Sequence, residues 1–106
     1  MDKKEIFELF GEDAYRVNHN GKVYRDLRKR VSSAHRAVKG LLKKIDGIAE
    51  LEEYVDSGQW LRDFEADERG EFSPSLCRDA MTEDALYDLF EDIRTLRLEM
   101  KRFLKA

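Results

Sequence analysis

Cysteine, proline and tryptophan each occur only once in this chain of 106 residues. With Cys77 alone, no internal disulfide can form and no cysteine-based zinc cluster can be assembled. One proline and six glycines leave few interruptions to regular backbone structure. No apolar run approaches the roughly 20 residues of a membrane span. The first ten residues, Met-Asp-Lys-Lys-Glu-Ile-Phe-Glu-Leu-Phe, place acids where a secretory signal needs an unbroken apolar stretch. A Gly-rich phosphate loop and a Gly-x-Ser-x-Gly nucleophile motif are both missing. These absences point to a soluble cytosolic protein, with no membrane association and no cofactor.

Apolar and charged residues are nearly balanced, at 42% and 41%. That balance suits amphipathic helices better than sheets, and the aromatic content argues against a disordered tail. The length fits a single helical domain with a modest core. Net charge is −3, unevenly spread: residues 1–45 carry +6, residues 46–92 carry −13 and residues 93–106 carry +4. Such asymmetry bears on partners rather than on fold.

Tyr24, Leu27, Val31, Ala34, Val38, Leu41 and Ile45 alternate spacings of three and four, forming a heptad a/d seam that can continue through Ile48 and Leu51 to Val55. This predicts a long helix over residues 22–56, with a bend at Gly47 left open. A second seam, Leu86, Leu89, Ile93, Leu96, Met100 and Phe103, predicts a C-terminal helix over residues 82–105 with Thr82 as its N-cap. Two matched seams joined by a shorter insert predict an all-α fold: a long antiparallel, coiled-coil-like helical hairpin with short helices packed at each end. The pairing would set Leu27 near Phe103 and Leu41 near Leu89, and give a rod positive at one end and negative at the other.

The acidic insert, residues 57–81, should hold a helix starting at Ser57 or Gln59 and ending at Gly70. A short turn opened by Ser73 and Pro74 follows, with Leu76, Ala80 and Met81 as core candidates. Residues 1–20 form an N-terminal extension whose Ile6, Phe7, Leu9 and Phe10 could cover the region of Tyr24 and Leu104. Residues 15–24 read either as helix and loop or as a hairpin about Asn20-Gly21; the longer seam favours the former.

Trp60 sits in an acidic run bracketed by Gly58 and Gly70. A large aromatic among charges must find apolar cover, so Trp60 and Phe64 are expected to be structural anchors. Asp63, Glu65, Asp67, Glu68 and Glu71 must then face water or a partner, and they are the candidate partner-binding residues. As a calcium loop the run fails, because the required Gly falls on Glu68 and the closing Glu on Pro74. Asp63, Asp67 and Glu71 could share a helix face and hold a cation weakly, but a solvated acidic face is the plainer reading. Almost any acidic helix supplies carboxylate pairs of glycosidase type, so these carry no catalytic assignment. His19 and His35 are the only histidines, and nothing in the sequence links them to Ser32, Ser33 or Cys77 as a catalytic set. Cys77 reads as a partly buried small hydrophobe. Opposite the first seam, Arg25, Lys29, Arg36, Lys39 and Lys43 make a basic stripe that could follow a nucleic-acid backbone. Against this stand the acidic isoelectric point near 5.5 and the lack of a nucleic-acid reader motif.

The block from Leu51 to Glu71, with its Ser-Gly-Gln-Trp-Leu-Arg-Asp-Phe-Glu-Ala-Asp-Glu-Arg-Gly core, is followed by Met81-Thr-Glu-Asp-Ala-Leu-Tyr-Asp-Leu-Phe. Together they resemble a family of small bacterial proteins known as a domain of unknown function. The resemblance covers about residues 22–100, and Phe72-Ser73-Pro74 departs from the Leu-Pro of that pattern. It implies a helical cytosolic protein of bacterial or phage origin, and no reaction or ligand. The sequence therefore predicts a non-enzymatic interaction protein that binds another protein through charged surfaces, its oligomeric state open. The alternatives are a nucleic-acid-associated protein using the basic stripe, and a carboxylate-dependent enzyme without a recognisable motif.

Overall fold

The computed structural model describes residues 1–106, and the fold is all-α. Four helices follow in order: α1 (Lys3–Lys43), α2 (Asp46–Asp56), α3 (Gln59–Glu68) and α4 (Ala85–Lys105). No helix is long and apolar enough to cross a membrane. The chain divides into two compact units, Met1–Ile45 and Asp46–Ala106.

The first unit is α1. Asp2 caps its start, the carboxylate accepting a 2.8 Å hydrogen bond from the Glu5 backbone N–H. Gly11 breaks the helix at φ 87°, a conformation that disfavours any side chain, and kinks α1 there. The kink lets the first turns fold against the next ones. Ile6 becomes buried, Phe7 meets Tyr15 edge to face at 6.0 Å, and Tyr15 stacks on His19 at 6.2 Å. Of the N-terminal apolar residues, Ile6 is thus buried and Phe7 meets Tyr15, whereas Leu9 and Phe10 stay exposed, as does Tyr24. Asn20-Gly21 is interior helix rather than turn, so the hairpin alternative fails and the long helix starts far earlier than residue 22. Nothing in the local sequence enforces a turn once the flanking segments propagate helix.

The second unit holds α2, α3 and α4. The helix expected over residues 22–56 is interrupted at Lys44 and Ile45, ahead of Gly47, which lies inside α2. Lys44 leaves helical geometry at φ −115°, its N–H bonding back to the Leu41 and Leu42 carbonyls. Between α2 and α3 the chain reverses at Ser57-Gly58, with Gly58 left-handed at φ 83°. The Ser57 hydroxyl donates to the Tyr54 carbonyl and accepts from the Gln59 N–H, both at 3.3 Å. Helix α3 ends as the sequence predicts. Gly70 adopts φ 73°, its N–H bonds to the Asp67 carbonyl at 3.0 Å, and the Glu71 N–H reaches the Ala66 carbonyl at 3.1 Å. That pair of bonds is a Schellman cap.

Residues 71–84 form successive turns without a helix. Ser73 opens a turn as expected, its hydroxyl accepting from the Ser75 N–H at 3.2 Å, but the turn does not propagate into a helix. Helix α4 begins at Ala85, three residues after the predicted Thr82 cap; the Thr82 carbonyl instead accepts from the Ala85 N–H in a turn. Leu86 is the one buried apolar residue of this unit. Arg102 and Lys105 occupy the last turn of α4, where cations suit the helix dipole.

Candidate functional site

The Trp-containing segment has two faces because α3 is helical. Trp60, Asp63, Phe64 and Asp67 recur every three or four residues and turn inward, each half-buried. Leu61, Glu65 and Glu68 lie on the other side and are exposed. The inner face acts as a clasp for the second unit. Trp60 stacks on Phe64 with ring centroids 5.1 Å apart. Its indole N–H donates a 2.8 Å hydrogen bond to the carbonyl of Ala80, tying down the turn-rich segment twenty residues later. Trp60 and Phe64 are thus both half-buried on the inner face of α3.

Asp63 joins α3 to α2. It accepts from the Tyr54 hydroxyl at 2.5 Å and from the Gln59 side-chain amide at 2.8 Å, while Arg62 donates to the Gln59 amide oxygen at 3.0 Å. Partial burial, then the hydrogen bond to Asp63 and the carboxylate's charge, push the Tyr54 hydroxyl up to about 12. The hydrogen bonds from Tyr54 and Gln59 hold Asp63 below its ordinary value, against a smaller opposing effect of desolvation. Tyr54 therefore stays protonated and Asp63 ionised across the neutral range. The pair is a fixed link between helices.

Asp67 makes the third clasp contact. Its side chain is only 12% exposed, and Arg78 Nε lies 3.0 Å from Oδ1. The angle falls short of a hydrogen bond, which leaves that oxygen without a hydrogen-bond partner. We read the contact as an ion pair, because opposite charges at 3.0 Å attract whatever the N–H direction.

The five candidate acids thus fall into two groups. Asp63 and Asp67 are engaged within the fold, whereas Glu65, Glu68 and Glu71 are exposed, with Glu71 also 3.1 Å from Arg69. Tyr54, Gln59, Arg78 and the Ala80 carbonyl complete the clasp; the sequence marked Gln59 only as a helix start and Ala80 only as a core candidate, and did not mark Tyr54 or Arg78. A signal for Tyr54 existed: a chain reversal at Ser57-Gly58 brings the last turn of α2, which holds Tyr54, beside the first turns of α3, which hold Asp63.

Around the clasp the surface is acidic. All of the sixteen acids of residues 46–92 are exposed except Asp63, Asp67 and Glu91. The three cations of the same stretch, Arg62, Arg69 and Arg78, are each engaged with a neighbour. No group of three or more His, Cys, Asp or Glu side chains converges as a metal site would require. Cys77 is exposed, not partly buried as expected, because no helix forms around it to turn it inward.

In the first unit, Arg25, Lys29, Arg36, Lys39 and Lys43 are all exposed on the uninterrupted part of α1. None of them is in an ion pair on its own helix, unlike Arg16 with Asp13 and Arg30 with Asp26. Their span from residue 25 to 43 is roughly 27 Å at the helical rise. His35 is exposed on the same helix, and His19 is occupied by its stack on Tyr15.

The family model described as "Domain of unknown function (DUF4298)" matches residues 17–105. The chain belongs to this family. The match takes in the clasp, the acidic surface and most of α1, and it leaves out the N-terminal turns that fold back at Gly11. No curated protein and no solved structure matches this chain.

Proposed function

We propose that this DUF4298 member is a non-enzymatic interaction protein of the cytoplasm, and that it binds another protein through the acidic surface of residues 46–92. What supports the reading is the separation of roles on α3. The inner face carries the groups that hold the unit together, while Glu65 and Glu68 on the outer face make no internal contact. Acids in such density, with every nearby cation already engaged, attract a basic surface over several ångströms and favour its encounter. Rim charges of this kind govern association rate and salt dependence.

The test is affinity capture from host lysate with the wild-type chain and with Glu65→Gln/Glu68→Gln/Glu71→Gln. The reading expects a specific protein to be retained by wild type and lost from the variant, with no change in melting temperature. Equal retention by both would remove the acidic surface from consideration.

A second reading is nucleic-acid association through Arg25, Lys29, Arg36, Lys39 and Lys43. It is favoured by their exposure and freedom from ion pairs on α1. Backbone phosphates are bound by such stripes through counterion release, without base recognition. If Arg25→Glu/Lys29→Glu/Arg36→Glu alone loses its partners, and nuclease treatment reproduces the loss, this second reading replaces the first.

A further inference from the structure

We propose that residues 1–10 are a strap with two positions about Gly11: folded back on α1, as in the structure, or straightened into one continuous helix that lengthens the α1 seam. The two positions use the same side chains in exclusive ways. Folded back, Ile6 is buried and lines a groove with Phe10, Ala14, Asn18 and Lys22, and Phe7 meets Tyr15 edge to face. Ala14, Tyr15 and Asn18, on the covered face, are half-buried. All of these residues belong to the unit Met1–Ile45, so the fold-back is defined within that unit.

The straight form is written in the heptad phase. Counting back from Tyr24 by alternating fours and threes gives Asn20, Val17, Asp13, Phe10 and Ile6. In an unbroken helix Ile6, Phe10 and Val17 therefore join the stripe of Tyr24, Leu27 and Val31. Tyr15, Asn18 and Lys22 hold f and b positions, on the side away from that stripe. Straightening thus carries Ile6 from one side of α1 to the other and removes the strap from residues 14–18.

Opposing effects hold the two forms in balance. Gly11 favours the kink, because its φ of 87° and ψ of −179° lie in a region open essentially to glycine alone. Glu12 and Asp13 also favour it. They open the longer helical segment, where acids suit the dipole, and Asp13 pairs with Arg16 at 3.0 Å. Asp13 and Asn20 are polar interruptions of the lengthened stripe and weigh the same way. On the other side, the kink interrupts an i→i−4 ladder that a straight helix completes, with helix on both flanks. A Cβ built at Gly11 would meet nothing within 4 Å, so the backbone conformation, not crowding, is what calls for glycine there.

Pulsed dipolar EPR on the full chain, spin-labelled at Lys4→Cys and Val23→Cys in a Cys77→Ser background, reads the position of the strap. The labelled residues stand about 29 Å apart along a straight helix and much closer when the strap is folded back. With Gly11 present the short distance should be the main population and the long one the minority. Gly11→Ala removes the glycine-only conformation and adds helix propensity, so the long-to-short ratio should rise roughly a hundredfold and the long distance should dominate. Phe7→Ala deletes a contact made only in the folded-back form and should raise the ratio by up to about tenfold with Gly11 intact. Helical circular dichroism should hold or rise in both variants. A short distance that stays dominant in Gly11→Ala would overturn the proposal. So would a broad, featureless distribution, which marks fraying rather than a second position, or an unchanged ratio in Phe7→Ala.

Discussion

Removing the Trp60 side chain should unfold the second unit at a markedly lower temperature. Truncating a fully buried Trp to Ala costs about 3–5 kcal/mol. Trp60 is half-buried, which lowers the packing part, but two specific contacts go with it. The indole hydrogen bond to the Ala80 carbonyl contributes about 1 kcal/mol. The Phe64 stack contributes about 0.5–1.5 kcal/mol. We expect a total of about 3 kcal/mol for Trp60→Ala. At about 4–8 °C per kcal/mol for a domain of this size, the loss is a drop of roughly 12–24 °C in Tm. Trp60→Phe keeps an aromatic ring for the stack and leaves the Ala80 carbonyl without its donor, so its expected cost is about 1–2 kcal/mol. Thermal melts followed by far-UV circular dichroism would measure both. If Trp60→Ala melts within a couple of degrees of wild type, Trp60 is a surface residue and the clasp is misassigned. A wild-type Tm for Trp60→Phe would remove the hydrogen bond from the explanation.

Four further outcomes are expected. Because the Tyr54 hydroxyl sits at about 12, above the ordinary phenol value near 10, the folded state holds its proton more tightly. Its contribution to stability should be complete below pH 10 and fade between 10 and about 12; phenol absorbance titration should show Tyr54→Phe removing amplitude from the upper end of that range. Asp63 is shifted the other way, so the stability it confers is present above the ordinary carboxylate range and disappears as acid protonates it; acid unfolding of Asp63→Asn should be less steep than that of wild type. Ala substitution at Gly58 or Gly70, at φ 83° and 73°, should cost about 1–2 kcal/mol in chemical denaturation, whereas Gly21→Ala, in open helix interior, should stabilise by up to about 1 kcal/mol. A double-mutant cycle on Asp67 and Arg78 should give a coupling of about 1 kcal/mol or less, since Arg78 is 41% exposed and solvent screens the pair.

The residues that carry local signals were the legible ones. The two glycines bracketing the acidic run set the bounds of α3, because only their left-handed backbone makes both ends close sharply. The seams marked both long helices through side-chain period alone. Their ends were misread where sequence chemistry is permissive. Asn20-Gly21 turns the chain only if its neighbours stop propagating helix, and Thr82 caps a helix only if Glu83 and Asp84 begin one; in both places the neighbours decided otherwise. The break at Lys44-Ile45 has no residue signature, whereas Gly47, the obvious weak point, is accommodated in α2. On the candidate surface, sequence could mark five acids as a group but could not divide them. That division needed the helical phase of α3 against α2, which turns Asp63 and Asp67 inward and leaves Glu65, Glu68 and Glu71 outside.

The separation of clasp from surface also chooses the decisive measurement. With a captured protein partner in hand, its affinity for the wild-type chain should be measured from low to high salt and compared with that for Glu65→Gln/Glu68→Gln/Glu71→Gln. We expect wild-type affinity to fall steeply as the screening length shrinks from ~10 Å at 0.1 M to ~3 Å at 1 M. The variant should bind more weakly at low salt, depend less on salt and melt where wild type melts. Identical affinity and salt dependence for the two chains would contradict recognition through the acidic surface.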